Sequence, residues 1–147
     1  MAAVPGQVAV LERFREAQIL WENSALAGRL VAPVSRYVTG QALDHLSAAI
    51  SFAASKDSAP AGIDRMFMTR VTSFSASAAT VTTCDDGSKY ESIDRRTGKV
   101  IPSLAAAPDQ QYLLEAWHLA MTGGGWAISS FTVTSLPSPS AQPCQPA

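Results

Sequence analysis

The first part of the chain spaces its apolar residues with a period close to that of an α-helix. Charged residues fill the positions between apolar side chains that recur four, seven and eleven residues after the first, namely Val10, Phe14, Ala17 and Trp21. Residues at this spacing share one face of a helix, so the pattern predicts an amphipathic helix over about residues 7–23.

A second apolar stripe follows a break at Pro33. Thr39 is placed to cap the N-terminus of a helix that ends near Lys56. The stripe consists of Leu43, Leu46, Ile50 and Ala53, and the opposite side carries His45, Ala49 and Phe52. Because both sides are partly apolar, we expect this helix to be covered on two faces, by the sheet and by another element.

From Arg65 onward the apolar period shortens to two, which is typical of strands. The pattern predicts strands over about residues 66–74, 79–84, 89–93, 111–121 and 126–135. Turn signals separate these strands. A loop with Pro60 and Gly62 precedes the first strand, Asp86-Gly87 lies between the second and the third, residues 96–99 follow the third, and residues 122–125 join the last two. Prolines at 137, 139, 143 and 146 predict an extended tail.

In this sequence the helices come first and an antiparallel meander of strands follows. This order predicts an α+β fold, with the N-terminal helices packed on one face of a strongly curved sheet. At 147 residues the chain has the length of a single domain, which we assign to residues 1–136, with residues 137–147 as a Pro-rich C-terminal tail. This order excludes a parallel dinucleotide-binding fold, and the chain has no Gly-x-Gly-x-x-Gly between a strand and a helix.

Composition narrows the function classes. Hydrophobic residues at 47%, charged residues at 16% and a net charge of -1 are typical of an ordinary globular domain. Nucleic-acid binding is not expected, because 11 basic residues are offset by 12 acidic ones scattered along the chain. The two histidines have no metal-ligand spacing, so we expect no metal site and no cofactor. The two cysteines leave either one disulfide bond or two free thiols.

Several short motifs resemble those of actinobacterial extracytoplasmic proteins in the superfamily of nuclear-transport-factor-two-like cone folds. The motifs are Tyr37-Val38-Thr39-Gly40-Gln41-Ala42-Leu43, Cys84-Asp85-Asp86-Gly87, Arg96-Thr97-Gly98, Gly124-Gly125-Trp126-Ala127-Ile128 and a cysteine near the C-terminus, Cys144. The resemblance implies a cone fold and a disulfide bond between Cys84 and Cys144 that tethers the tail. It also implies a cell-envelope location, with membrane anchoring outside the given chain. The chain begins without a signal peptide or lipobox, so a cytoplasmic location stays open.

The predicted strand over residues 111–121 carries the two most informative polar side chains. Alternation places Glu115 on the face of Trp117 and His118 on the opposite face. We expect the face with Glu115 to be the solvated outside of the sheet. The alternative is the dry interior of the cone, where the pKa of Glu115 would rise and the carboxylate could act as a general base.

With Glu115 facing solvent, His118 would point into the cone, toward His45 and Tyr37. Such a polar cluster in an apolar pocket is the usual geometry of a small-molecule site, although a hydrogen-bonded core histidine is the simpler interpretation. These three residues are the candidate catalytic groups, and Phe52 and Trp117 are the candidate apolar contacts of a ligand.

We therefore expect a non-catalytic cell-envelope accessory or binding module that engages a protein partner or a small apolar ligand through the cone. The alternative is a cofactor-independent enzyme of isomerase or cyclase type, which requires His118, His45 and Tyr37 to converge on one cavity. A homodimer formed through the outer sheet face that carries Trp117 is a third hypothesis.

Overall fold

The structure, a computed structural model, describes residues 4–145, and in this part of the chain two helices precede four strands. The elements are α1 (Pro5–Ala27), α2 (Gly40–Ser55), β1 (Ser58–Phe74), β2 (Ala78–Asp94), β3 (Tyr112–Thr122) and β4 (Gly125–Ser135). The strands form one antiparallel sheet in the order β1-β2-β3-β4. The predicted α+β class, with helices packed on a curved antiparallel sheet, is confirmed.

The sheet differs from the prediction at the start of the meander. β1 begins at Ser58, so the predicted loop with Pro60 and Gly62 is part of a strand. β2 continues through the predicted turn at Asp86-Gly87, because the Gly87 N–H donates to the carbonyl of Gln111 at 2.7 Å. A register shift marks this point: Ile63 pairs with Lys89, but Arg65 pairs with Asp86. The extra β2 residue is a bulge, which bends the two strands.

The hydrophobic core lies between the helices and one face of the sheet. α1 contributes the predicted stripe, and α2 contributes one side only. The fully buried core residues include Val10, Phe14, Ala17, Leu46, Val81, Leu119 and Ile128. The expectation that α2 is covered on two faces is wrong, since His45 is exposed and the Phe52 side chain is 57% exposed.

Arg13 fixes α1 to the loop between β3 and β4. Its Nε donates to the carbonyl of Trp126 at 2.7 Å, and one terminal nitrogen donates to the carbonyls of Arg36 and Gly124 at 3.2 and 3.1 Å. The guanidinium also lies 3.5 Å from the ring centroid of Tyr37, a cation–π contact. The glycine loop is therefore a docking point for α1.

The C-terminal tail is attached to the outer face of the sheet. A disulfide bond joins Cys84 of β2 to Cys144, and both cysteines are buried. The disulfide implied by the resemblance is confirmed. Neither helix in residues 4–145 has the length and apolar composition needed to cross a membrane.

Candidate functional site

A cavity of about 500 Å³ opens between the C-terminal half of α1 and the bent ends of β1 and β2. Two short segments before β3 complete its wall. The lining residues are Trp21, Glu22, Ala25, Leu26, Pro60, Ala61, Gly62, Asp64, Asp85, Gly87, Tyr90, Ala106 and Gln110. The volume falls within the usual range for small-molecule sites.

Local backbone geometry creates this cavity. Gly62 has a φ of +79°, and a Cβ at this position would overlap the carbonyl oxygen of Lys89 on β2. Only glycine lets β1 approach β2 this closely with a positive φ. Together with the bulge beside Gly87, this approach curls the two strands over the cavity.

Asp85 lies in the cavity wall at the end of a row of buried β2 residues. Alternate β2 residues face the helices, and Ala79, Val81, Thr83 and Asp85 are all buried. The Asp85 residue is only 8% exposed, and its Oδ1 atom has no hydrogen-bond partner among the described residues. Buried polar atoms are nearly always paired, so this oxygen marks a place where a ligand can bind.

The surroundings of Asp85 favour its neutral form. Burial, a hydrogen bond with the Asp64 carboxyl group and the nearby charges of Glu115, Asp64 and Asp86 together raise the pKa of Asp85 to about 10. At neutral pH the group is therefore protonated, its proton lies in the hydrogen bond with Asp64, and its Oδ1 atom remains as a hydrogen-bond acceptor.

Glu115 lies behind the cavity, inside the sheet–helix interface. It pairs with Thr83 across β2 and β3, and the Trp117 indole N–H donates to its Oε1 at 3.4 Å. Burial raises the pKa of Glu115 to about 7, the Trp117 bond acts in the opposite direction, and the charge of Asp64 adds to the increase. Glu115 is thus a proton-exchanging group close to Asp85 without belonging to the cavity wall.

Two further groups at the rim have perturbed acidity. Burial, followed by the charge of Asp64, raises the pKa of both Glu22 and Tyr90. Glu22 and Asp64 are exposed toward solvent. Within the described residues, the lining contains three carboxyl groups, on Glu22, Asp64 and Asp85, and no lysine, arginine or histidine.

The predicted orientation of β3 is wrong. Glu115 and Trp117 share a face, as alternation requires, but this face is the buried interior, with Glu115 only 6% exposed. The structure therefore shows the alternative arrangement, with a carboxyl group inside the cone. The dimer hypothesis also loses its basis, because Trp117 packs inside against Phe131 and Trp21, with ring centroids 4.4 and 5.4 Å away.

His118, His45 and Tyr37 do not converge on one cavity. His118 lies on the outer face, with its Nδ1 atom 3.2 Å from Oγ1 of Thr80. His45 is exposed on α2, and Tyr37 lies beneath the Arg13 guanidinium. Alternation separated Glu115 from His118 correctly, but the face expected for each residue was wrong. The proposed cluster of three is not formed.

The two candidate ligand contacts have different environments. Trp117 is 3% exposed and belongs to the aromatic core. Phe52 lines a second, smaller cavity of about 190 Å³ that adjoins the first. Sequence reasoning missed Asp85 because it placed a turn at Asp86-Gly87, and it missed Asp64 because it placed a loop before residue 66. The alternation from Ala79 could have been continued by one step to place Asp85 on the buried face.

The described residues contain no group of three His, Cys, Asp or Glu side chains arranged to hold a metal ion. The chemistry available at the cavity is hydrogen bonding and proton exchange by carboxyl groups, combined with apolar and aromatic contact.

No protein-family model and no curated protein matches the sequence. Several solved structures match the fold of the chain. A protein provisionally named an aromatic ring hydroxylase, from Novosphingobium aromaticivorans, has a TM-score of 0.60 at 10% identity, over 92% of each chain. A provisionally named dehydratase of the NTF2-like family from Streptomyces avermitilis has a TM-score of 0.53 at 12% identity, over 86% of this chain and 96% of that one.

The Kfla4162 protein from Kribbella flavida has a TM-score of 0.56 at 15% identity, over 87% of this chain and 90% of that one. At such low identity these matches concern the fold alone. They show that the chain shares the fold of these proteins, one of which is named for the NTF2-like family, in agreement with the cone fold that the sequence motifs imply.

Proposed function

We propose that this protein is a binding module that holds a small, partly apolar molecule in the cavity, with a polar group of that molecule against Asp85. The observation that carries this proposal is the unpartnered Oδ1 atom of a buried carboxyl group in the cavity wall. A buried polar atom without a partner costs about 1–3 kcal/mol, and a ligand that pairs with it recovers this free energy.

The disulfide bond bears on where the protein works. Disulfide bonds are typical of proteins that fold in oxidising compartments. The bond between Cys84 and Cys144 therefore supports a location in the cell envelope or outside the cell, in line with the binding role we propose.

A second candidate function follows from the acidity of the carboxyl groups. Two neighbouring carboxyl groups with pKa values of about 10 and about 7 are unusual outside functional sites. In a cofactor-independent enzyme, the proton held between Asp85 and Asp64 would be transferred to a substrate group in the cavity and later returned. The resemblance to a provisionally named dehydratase supports this candidate at the level of fold.

Occupying the cavity with a larger side chain tests the binding proposal. We expect the neutral dye Nile red to bind with an increase in fluorescence, because the cavity offers apolar walls of sufficient volume. We expect Ala61→Trp to weaken this binding at least tenfold, since Ala61 lines the cavity.

The matched control is Ala54→Trp, at an exposed α2 position that lines neither cavity. Thermal unfolding of both variants checks that they fold. Equal dye binding by the folded Ala61→Trp variant, the control and the unsubstituted protein would rule out the cavity as the binding site.

A further inference from the structure

The charge of the cavity indicates what kind of molecule it accepts. Glu22, Asp64 and Asp85 lie around one small space, and no basic side chain of the described residues lines it. Arg95 is near the rim, but its guanidinium donates to the carbonyls of Ser58 and Leu26. Carboxyl groups placed this close repel one another when ionised, and either protonation or a bound cation relieves this repulsion.

The aromatic residues of the lining favour the same class of ligand. Trp21 and Tyr90 both line the cavity. The faces of tryptophan and tyrosine rings attract cations, and aromatic walls are the usual means of recognising alkylated ammonium groups. Acidic and aromatic groups together thus form a suitable environment for an ammonium head.

The second cavity shows where an apolar chain would lie. The two cavities share Ala25, Pro60 and Tyr90, so they adjoin at these residues. Beyond them the second cavity has mainly apolar walls, which include Ile50, Phe52 and Leu104. Burial of a short alkyl chain there contributes about 0.8 kcal/mol per methylene.

We infer that the ligand is an organic ammonium ion with an apolar chain, whose head lies between the carboxyl groups and aromatic rings of the larger cavity and whose chain extends toward Phe52. This inference rests on the proposed binding function and names the chemical class of its ligand.

Binding of such a cation depends on pH with a defined sign. The ionised form of Asp85 binds a cation more strongly than the neutral form, so the affinity for a permanently charged cation increases as pH rises. The groups that face Asp85 all carry negative charge when they ionise, which reinforces this direction. They are Glu22 on α1, Asp64 on β1, Asp86 and Tyr90 on β2, and Glu115 on β3.

Calorimetric titration with three probes of equal chain length tests the inference. The probes are octyltrimethylammonium, neutral 1-octanol and anionic octanoate, each below its micelle concentration and at low salt. We expect the cation to bind at least tenfold more tightly than octanol, and octanoate not to bind. Between pH 7 and pH 9, we expect the affinity for the cation to increase at least threefold.

Variants connect this selectivity to the cavity. We expect Asp64→Asn to weaken binding of the cation about tenfold without affecting octanol, and Asp85→Asn to remove most of the pH dependence. Asp44→Asn is the matched control, because Asp44 is exposed on α2 and lines neither cavity. We expect it to change neither quantity.

The outcomes separate the inference from the function on which it rests. If octanol or octanoate binds as tightly as the cation, the inference is overturned while the binding function stands. If Nile red binds and none of the octyl probes binds, the inference is likewise overturned and the binding function stands. If neither Nile red nor any octyl probe binds, both are overturned.

Discussion

Replacement of both cysteines by alanine is expected to lower the free energy of unfolding by about 4 kcal/mol. The bond closes a loop between residues 60 positions apart, which restricts the unfolded chain strongly in the chain-entropy account of disulfides. It also covers the outer face of β2, where Cys84 is only 1% exposed. Loss of the bond therefore detaches the tail and exposes part of the sheet.

Urea denaturation of the double alanine variant measures this loss. Ser140→Ala, an exposed tail substitution away from the bond, is the control and should change stability by less than about 0.5 kcal/mol. The cavity is on the opposite face of the sheet, so the variant should still bind Nile red while it is folded. A loss below about 1 kcal/mol would show that the tail does not stabilise the domain.

Asp85→Asn is expected to increase the free energy of unfolding at pH 7 by on the order of 2 kcal/mol. Folding raises the pKa of Asp85 to about 10 from an ordinary value near 3.8. The stability from such a group is fully present below the unfolded pKa and is lost as pH rises toward the folded pKa. Asparagine keeps the shape of the neutral carboxyl group and does not ionise in the unfolded chain. The variant therefore does not lose this stability as pH rises.

The pH dependence of the free energy of unfolding distinguishes the removal of an ionisable group from a change in packing at position 85. In the unsubstituted protein, stability should fall as pH rises from about 4 to 9, with a contribution from Glu115 between about pH 4.5 and 7. In Asp85→Asn the fall should be smaller, whereas Asp44→Asn should follow the unsubstituted protein. An Asp85→Asn variant that is less stable at both pH 7 and pH 9 would contradict this account.

Elements fixed by local pattern could be predicted from sequence. The stripe of Val10, Phe14 and Ala17 faces the core as expected. The hairpin of β3 and β4 also matches closely, because two strands rich in β-favouring residues are joined by a glycine turn. In these segments, side-chain period and turn chemistry agree, and tertiary contacts do not need to override them.

The segment around Asp86-Gly87 could not be predicted in this way. The dipeptide is a strong local turn signal, but Gly87 is held in the ladder by the carbonyl of Gln111, which lies 24 positions further along the chain. A partner that distant is invisible to a local pattern. The error divided β2 in two and placed Asp85 at a turn instead of in a cavity wall.

The wrong orientation predicted for β3 has a different cause. Alternation shows which residues share a face but does not distinguish the two faces from each other. The sequence-based expectation assigns the face of Glu115 to solvent because exposed Leu and aromatic side chains are common, but the helices dock on this face. A carboxyl group beside the candidate site is therefore buried against its usual preference for water. Such exceptions to local rules are expected at functional sites.

An NMR titration of the side-chain carboxyl carbons of Asp85 and Glu115 tests most directly whether the cavity wall holds a neutral acid. We expect Asp85 to remain protonated through pH 7 and Glu115 to titrate near pH 7, because both groups are buried near other carboxyl groups. If both carbons titrate near pH 4, like exposed carboxyl groups, the cavity wall contains no neutral acid and the electrostatic description of the site is wrong.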